Sequence, residues 1–68
     1  MTFAICLDNE DYEASLELRK IYQALPDPEA DSHDLVRIVD ESGEDYLYPA
    51  SLFVPIQLPA PVERALSV

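Results

Sequence analysis

The only glycine of the chain, Gly43, lies between two runs of residues that favour β-strands. Residues 35–39 read Leu-Val-Arg-Ile-Val, and the restricted rotamers of their β-branched members suit a strand better than a helix. Residues 44–49 contain two tyrosines and end at a proline, which has no N–H for a ladder hydrogen bond. Asp40 and Ser42 bond readily to local backbone, and Gly43 readily takes a positive φ. The stretch therefore predicts a β-hairpin.

A corner and a further strand follow the hairpin. Residues 50–53, Ala-Ser-Leu-Phe, are too few for an α-helix and predict one turn of 3-10 helix. Residues 54–58 alternate again and predict a last strand. Because Pro55 has no N–H to donate, it predicts an edge position or a bulge for that strand.

The charge of the chain restricts the partners it can bind. Among 68 residues, 14 are acidic and 4 are basic, which gives a net charge of −10. An acidic surface repels nucleic-acid phosphates and anionic lipids, and it favours basic partners or cations. We therefore expect a protein partner, with no binding to nucleic acid or membranes.

The length predicts one small domain over residues 1–60, with residues 61–68 as a tail or a short helical turn. Cys6 is the only cysteine, so an internal disulfide is excluded, as is typical of a reducing cytoplasm. The apolar run at residues 3–7 is too short for a signal peptide or a membrane span. We therefore expect a cytoplasmic protein.

The first half of the chain contains one ambiguous segment. Residues 2–7 predict the first strand, with both faces apolar and therefore covered. Residues 12–25 permit a helix, since Ala14, Leu18, Ile21 and Leu25 recur at helical spacing. We predict instead a turn followed by a strand at residues 20–25, with Ile21 and Leu25 facing inward, and keep the helix as the alternative.

The two remaining segments carry weaker signals. Residues 26–34 contain two prolines and four acidic residues without apolar periodicity, and they predict a loop. The C-terminal segment permits one helical turn at residues 62–66 or a frayed tail.

The order of these elements resembles that of a Src-homology-3 domain. A first strand beginning at Ala4, a long acidic loop at residues 8–17 and a strand–proline–turn corner carry the resemblance, which covers about residues 2–58. The corner consists of Leu47, Tyr48, Pro49, Ala50, Ser51, Phe53 and Val54. The resemblance implies a mainly β fold, a single five-stranded barrel with a short 3-10 turn before the last strand. The chain also resembles small acidic bacterial proteins of no known activity.

The aromatic residues that such domains use for proline-rich peptides are missing here. The family places tyrosines in the first-strand motif, where this chain has Cys6, Leu7 and Asp8, and a tryptophan that this chain lacks. Polyproline ligands dock between such aromatic side chains. The resemblance therefore implies the fold and not the ligand.

The residues that could carry chemistry favour structural roles. Cys6 lies in an apolar and acidic setting that raises a thiol pKa, so we expect a buried structural cysteine. His33 is the only histidine and cannot build a zinc site alone. Two acidic groups lack the spacing of a calcium hand. These groups are Asp8, Glu10 and Asp11, and Asp27, Glu29 and Asp31. We expect no catalytic residue, cofactor or metal site, and no enzymatic activity.

Aromatic residues are the best candidates for binding a partner. Tyr46, Tyr48 and Phe53 combine apolar area with, in the tyrosines, a polar tip, and such residues are enriched in interfaces. Alternation along the strand would place Leu47 on the opposite face, in the core. The rest of that predicted interior is Leu35, Val39, Val54 and Ile56.

The sequence thus favours a non-catalytic protein-interaction module. One alternative is an acidic mimic of nucleic acid that inhibits a DNA-binding protein. The other alternative is a weak binder of divalent cations.

Overall fold

A computed structural model of the chain describes residues 2–66. Within that range the protein is mainly β, with two α-helices and one 3-10 turn. The strands are β1 (Thr2–Cys6), β2 (Ile21–Leu25), β3 (Leu35–Val39), β4 (Asp45–Pro49) and β5 (Phe53–Ile56). The helices are α1 (Pro28–Ser32) and α2 (Ala60–Leu66), and the 3-10 turn η1 is Ala50–Leu52. All strand pairs are antiparallel, in the order β4-β3-β2-β1-β5.

The predicted mainly β class with five strands is confirmed. The predicted closed barrel is not found, because the five strands form one open sheet with edges β4 and β5. The predicted 3-10 turn and the edge position of Pro55 are also confirmed.

The ambiguous segment contains a strand and not a long helix. One turn forms where the Ser15 and Leu16 N–H groups donate to the Tyr12 carbonyl. Arg19 then takes a left-handed φ of 64°, which ends helical geometry and starts the approach to β2. Leu16 is buried in the core, so tertiary packing overrides the local helix propensity of this segment.

The turn between β3 and β4 follows the predicted chemistry. The Gly43 N–H donates to the Asp40 carbonyl (3.1 Å), and the Asp40 N–H donates to the Glu44 carbonyl (2.8 Å). Gly43 has a φ of +87°, which is typical of a three-residue hairpin loop that ends in a bulge. The Asp40 carboxylate accepts a hydrogen bond from the Ser42 hydroxyl (2.6 Å), and this bond is the main cause of the lowered pKa of Asp40.

The prediction of a plain loop at residues 26–34 is wrong, because this stretch contains α1. The Asp27 carboxylate caps the helix by accepting from the Ala30 N–H (3.0 Å), and Pro28 lies in its first turn, where no N–H is needed. The helix ends at His33, and Asp34 then takes a left-handed φ of 57°. A strong N-terminal cap therefore starts a helix in a segment without apolar periodicity.

The C-terminal helical alternative is confirmed, and α2 begins at Ala60, earlier than the predicted turn. Residues 67–68 of the predicted tail lie outside the described residues. Six of the seven residues of α2 are exposed and Glu63 is half-exposed, so this helix buries little surface.

The core lies on one face of the sheet, here called the inner face. Small and aromatic side chains dominate it: Ala4, Cys6, Leu16, Tyr22, Ala24, Ile38, Tyr48, Leu52 and Phe53. Phe3, on the opposite or outer face, is also buried, so both faces of β1 are partly covered, as predicted.

The predicted orientation of four strands is wrong. Tyr22 and Ala24 of β2 are buried, whereas Ile21 and Leu25 are only half-buried. The interior proposed from β3, β4 and β5 lies on the outer face, where none of its residues is buried. These residues are Leu35, Val39, Leu47, Val54 and Ile56.

Arg37 explains the reversal. It shares a face with Leu35 and Val39, and its guanidinium forms ion pairs with Asp27 (2.9 Å) and Asp45 (2.7 Å). Burying this charge inside a small core would be costly, so the arginine keeps its side of β3 out of the core.

Candidate protein-interaction site

The three aromatic residues predicted to bind a partner do not share one surface. Tyr46 is 46% exposed, whereas Tyr48 is 5% and Phe53 is 7% exposed. The Tyr48 ring contacts Phe53 in the core and meets the Tyr12 ring edge to face at 5.3 Å between centroids. Only Tyr46 is therefore accessible to a partner without opening the core.

Tyr46 has a neutral and already engaged hydroxyl. Its O–H donates to the Glu44 carboxylate. This hydrogen bond is the largest cause of the raised pKa of Tyr46, and the negative charge of Glu44 adds to it. The ring therefore presents an apolar surface beside an acidic turn, a combination that favours contact with a basic side chain.

Cys6 and His33 occupy structural positions. Cys6 is fully buried, and its S–H donates to the Asp8 carbonyl (3.3 Å). Burial is the main cause of the raised pKa of this thiol, which keeps it protonated and unreactive. His33 ends α1, where its backbone N–H donates to the Ala30 carbonyl (3.0 Å).

The two acidic groups considered for cations are dispersed or already engaged. The Asp8 carboxylate accepts a hydrogen bond from the Glu10 N–H (3.0 Å). The Asp27 carboxylate caps α1. Within residues 2–66, no three His, Cys, Asp or Glu side chains lie close enough to hold a metal ion. Neither helix of this range has the length and apolarity needed to cross a membrane.

An apolar cleft of about 400 Å³, which the sequence did not indicate, opens at one end of the core. It lies between β1, β5, α1 and η1. Its apolar lining comes mostly from the inner face and the two neighbouring turns: Ala4, Ala24, Pro26, Val36, Ala50, Phe53 and Pro55. Three of these residues are alanines, and their small side chains leave the space unfilled. A concave apolar site of this volume suits one or two side chains of a partner.

Hydrogen bonds of the main chain and of the Asp27 side chain fix the rim of the cleft. The Ala50 N–H of η1 donates to the Asp34 carbonyl (2.9 Å), which joins η1 to the end of α1. The Asp27 carboxylate at the rim accepts from the Ala30 N–H and from Arg37 Nε (2.9 Å). These two bonds lower the pKa of Asp27, the Ala30 N–H being the larger cause. The cleft therefore has a preorganised wall.

Asp31 supplies the available charge at this rim. It lines the cleft from α1, and its carboxylate makes no hydrogen bond or ion pair with the other residues of the described range. A cationic group of a partner would therefore find an unpaired carboxylate beside the apolar lining.

Most of the acidic surface is likewise unpaired. Lys20 bridges Glu17 and Glu41, and Arg37 bridges Asp27 and Asp45. Across residues 2–66, nine carboxylates that the structure describes form no ion pair. They are Asp8, Glu10, Asp11, Glu13, Glu29, Asp31, Asp34, Asp40 and Glu44. The long-range field of the surface therefore attracts cationic partners.

A larger depression, about 620 Å³, lies beside α2 and the ends of β1 and β5. Its wall includes the polar side chains of Thr2, Gln57 and Glu63. It has less of the convergent apolar lining that characterises binding pockets, so we place the candidate site in the cleft between α1 and η1.

Comparison with known proteins assigns no further residue. No protein family, no curated protein and no solved structure matches the chain.

Proposed function

We propose that the protein is a non-catalytic interaction module that binds a basic segment of another protein. An apolar side chain of that segment enters the cleft between α1 and η1, and a neighbouring lysine or arginine pairs with Asp31. The observation that carries the proposal is the apolar cleft with an unpaired carboxylate at its rim. Apolar burial supplies affinity, and the charge supplies orientation and a faster association rate.

We also propose that the sheet is a Src-homology-3-like arrangement with an open gap between β4 and β5. The order β4-β3-β2-β1-β5, the long loop after β1 and the 3-10 turn before β5 support it. Polyproline peptides are not the proposed ligands, because the chain has no tryptophan and carries Cys6, Leu7 and Asp8 in place of the first-strand aromatic motif.

No specific observation favours either alternative function. A nucleic-acid mimic needs carboxylates at phosphate-like spacing along one face, and the unpaired ones belong to three separate segments at residues 8–13, 29–34 and 40–44. A divalent-cation binder needs converging carboxylates, which the described residues do not form.

The proposal is tested with short synthetic peptides and nuclear magnetic resonance. The probe is a peptide with the core Lys-Leu-Lys, and its controls replace the leucine by glycine or both lysines by glutamate. We expect amide shifts around α1 and η1 with the Lys-Leu-Lys peptide only. Shifts elsewhere, or equal shifts with the glycine control, would contradict binding in the cleft.

Two variants separate the contributions of shape and charge. Ala50→Leu partly fills the cleft, and we expect about a tenfold loss of affinity, the equivalent of about 1.4 kcal/mol. Asp31→Asn removes the rim charge and should weaken binding mainly at low salt. Glu10→Gln is the matched control, since it removes one exposed carboxylate that does not line the cleft.

A further inference from the structure

The two edges of the sheet differ in the hydrogen-bonding groups they present, and β5 presents no free donor. In an antiparallel pair, alternate residues bond to the partner and the others point away. The Leu7 N–H donates to the Leu52 carbonyl (2.9 Å). By alternation, the backbone N–H and C=O groups of Val54 point toward β1, and those of Phe53 and Pro55 point away from it. The Phe53 N–H already donates to η1, and proline has no N–H. The β5 edge is therefore closed to a further strand.

The β4 edge has free donors. The hydrogen bond from the Asp40 N–H to the Glu44 carbonyl continues the β3–β4 ladder. It therefore fixes which residues of β4 bond to β3 and which have backbone groups that point away from it. By that alternation, the tyrosines of β4 bond to β3, while the N–H and C=O groups of Asp45 and Leu47 point outward. Neither N–H has a partner elsewhere in the described part of the chain.

The side chains beside these groups are accessible on both faces of the strand. Tyr46 and Leu47 are large, apolar in their bodies and both exposed, and Asp45 is exposed as well. A strand added here would contact Leu47 on the outer face and Tyr46 on the inner side of the edge. Main-chain hydrogen bonds and two apolar contacts are the usual components of strand addition.

The charge around this edge selects the kind of strand. Glu44 and Asp45 lie on the strand and its approach, and Asp40 and Glu41 lie in the adjoining turn. A second copy of the chain, with a net charge of −10, would place like charges against each other. Asp45 and Glu41 already pair with Arg37 and Lys20, whereas Glu44 and Asp40 form no ion pair within the described residues. A segment that alternates basic and apolar residues would pair with Glu44 and Asp40 and would contact Tyr46 and Leu47.

We propose that the β4 edge binds an extended basic segment of another protein by strand addition. This site is separate from the cleft and goes beyond the function proposed above, since recognition here depends on main-chain hydrogen bonds at Asp45 and Leu47. The inserted strand would be short, because Pro49 offers only a carbonyl at the far end of the edge.

The probe is a peptide of alternating lysine and valine, labelled for fluorescence anisotropy and assayed near physiological salt. Its matched control has the same side chains and charge, with the central amides N-methylated so that they cannot donate. We expect binding of the first peptide and at least about a tenfold weaker binding of the second, because the methylated amides can no longer donate main-chain hydrogen bonds to β4. Equal affinity of the two peptides would overturn strand addition.

Substitutions in β4 test the same edge without changing the peptide. Leu47→Pro removes an outward N–H that bonds to nothing within the fold, and Leu47→Ala keeps that N–H while it shortens the side chain. We expect the proline variant to lose most of the affinity and the alanine variant to retain more of it. Far-ultraviolet circular dichroism verifies that the proline variant is folded, and if it is not, the N-methylated peptide alone decides.

Amide shifts on binding locate the peptide. Shifts centred on Asp45 and Leu47 that persist in the Ala50→Leu variant support the β4 edge. Shifts confined to α1 and η1 would overturn this site while leaving the cleft intact. Failure of the Lys-Leu-Lys peptide with continued strand binding would instead reject the cleft and retain the edge.

Discussion

On the inner face of the β3–β4 hairpin, Ile38 is fully buried and Tyr48 packs on other aromatic rings, whereas on the outer face Leu47 is 42% exposed beside Arg37. Both faces are apolar enough to form a core. The difference between them is one arginine with two carboxylate partners, which keeps its face out of the core. In so small a sheet, a single charge can therefore decide which of two apolar faces is buried.

The largest expected effect on stability comes from replacing the two tyrosines of β4, one at a time, by alanine. Tyr48→Ala removes a buried ring and should lower the free energy of unfolding by about 3–5 kcal/mol, enough to unfold a domain of this size. Tyr46→Ala removes an exposed ring and should cost less than about 1 kcal/mol. Urea denaturation of both variants measures the contrast. Equal losses would indicate that the two side chains are equally buried.

The cap of α1 should give the next effect. Asp27→Asn keeps a capping oxygen but removes the charge that pairs with Arg37, so we expect a lower urea midpoint at neutral pH. Because the pKa of Asp27 is lowered in the folded state, its stabilisation is present above the ordinary carboxyl pKa and is lost as pH falls through the folded value. Stability measured below about pH 4 should therefore fall less steeply in the variant than in the parent. An unchanged acid profile would contradict this role.

The hairpin turn provides a smaller effect. Gly43→Ala places a side chain in open space, so any loss comes from the left-handed φ alone. We expect a loss of about 1–2 kcal/mol in the free energy of unfolding. Gly43→Asn is the matched control and should lose less, because asparagine tolerates this conformation better. An alanine variant as stable as the parent would show that the turn relaxes.

The smallest effect concerns the exposed tyrosine. Glu44→Ala removes the acceptor of the Tyr46 hydroxyl hydrogen bond together with its negative charge, and we expect the raised pKa of Tyr46 to move down toward its ordinary value. A group with a raised pKa contributes stability at lower pH that is lost as pH rises through the folded value, here above about pH 10. A nuclear magnetic resonance titration that follows the ring carbons of Tyr46 measures its pKa in the parent and in the variant. Equal pKa values would mean that the hydrogen bond is absent in solution.

The local elements were predictable because their signals are local. Residues 35–39, the turn at Gly43 and the 3-10 turn after Pro49 follow from propensity and turn chemistry, and the structure has them at these positions. The orientation of the strands was not predictable in the same way, because alternation separates two faces without saying which one is buried. Arg37 at the centre of its strand was the available signal, since it marks the face of Leu35 and Val39 as the one outside the core.

The cleft and α1 were missed for different reasons. The alanines that line the cleft lie far apart in the chain and come together only through the sheet and η1. The helix had a recognisable start in Asp27 followed by Pro28, a cap and first-turn proline, which the absence of apolar periodicity concealed. The accessible part of the candidate aromatic site, Tyr46, stays a prediction.

The assignment of the two faces is tested most directly by comparing Ile38→Ala with Leu47→Ala in urea unfolding. Both substitutions truncate a large aliphatic side chain on the same hairpin, so the difference reports burial. We predict a loss of about 2–5 kcal/mol for Ile38→Ala and less than about 1 kcal/mol for Leu47→Ala. A larger loss for Leu47→Ala than for Ile38→Ala would mean that the buried and exposed faces are the reverse of those described here.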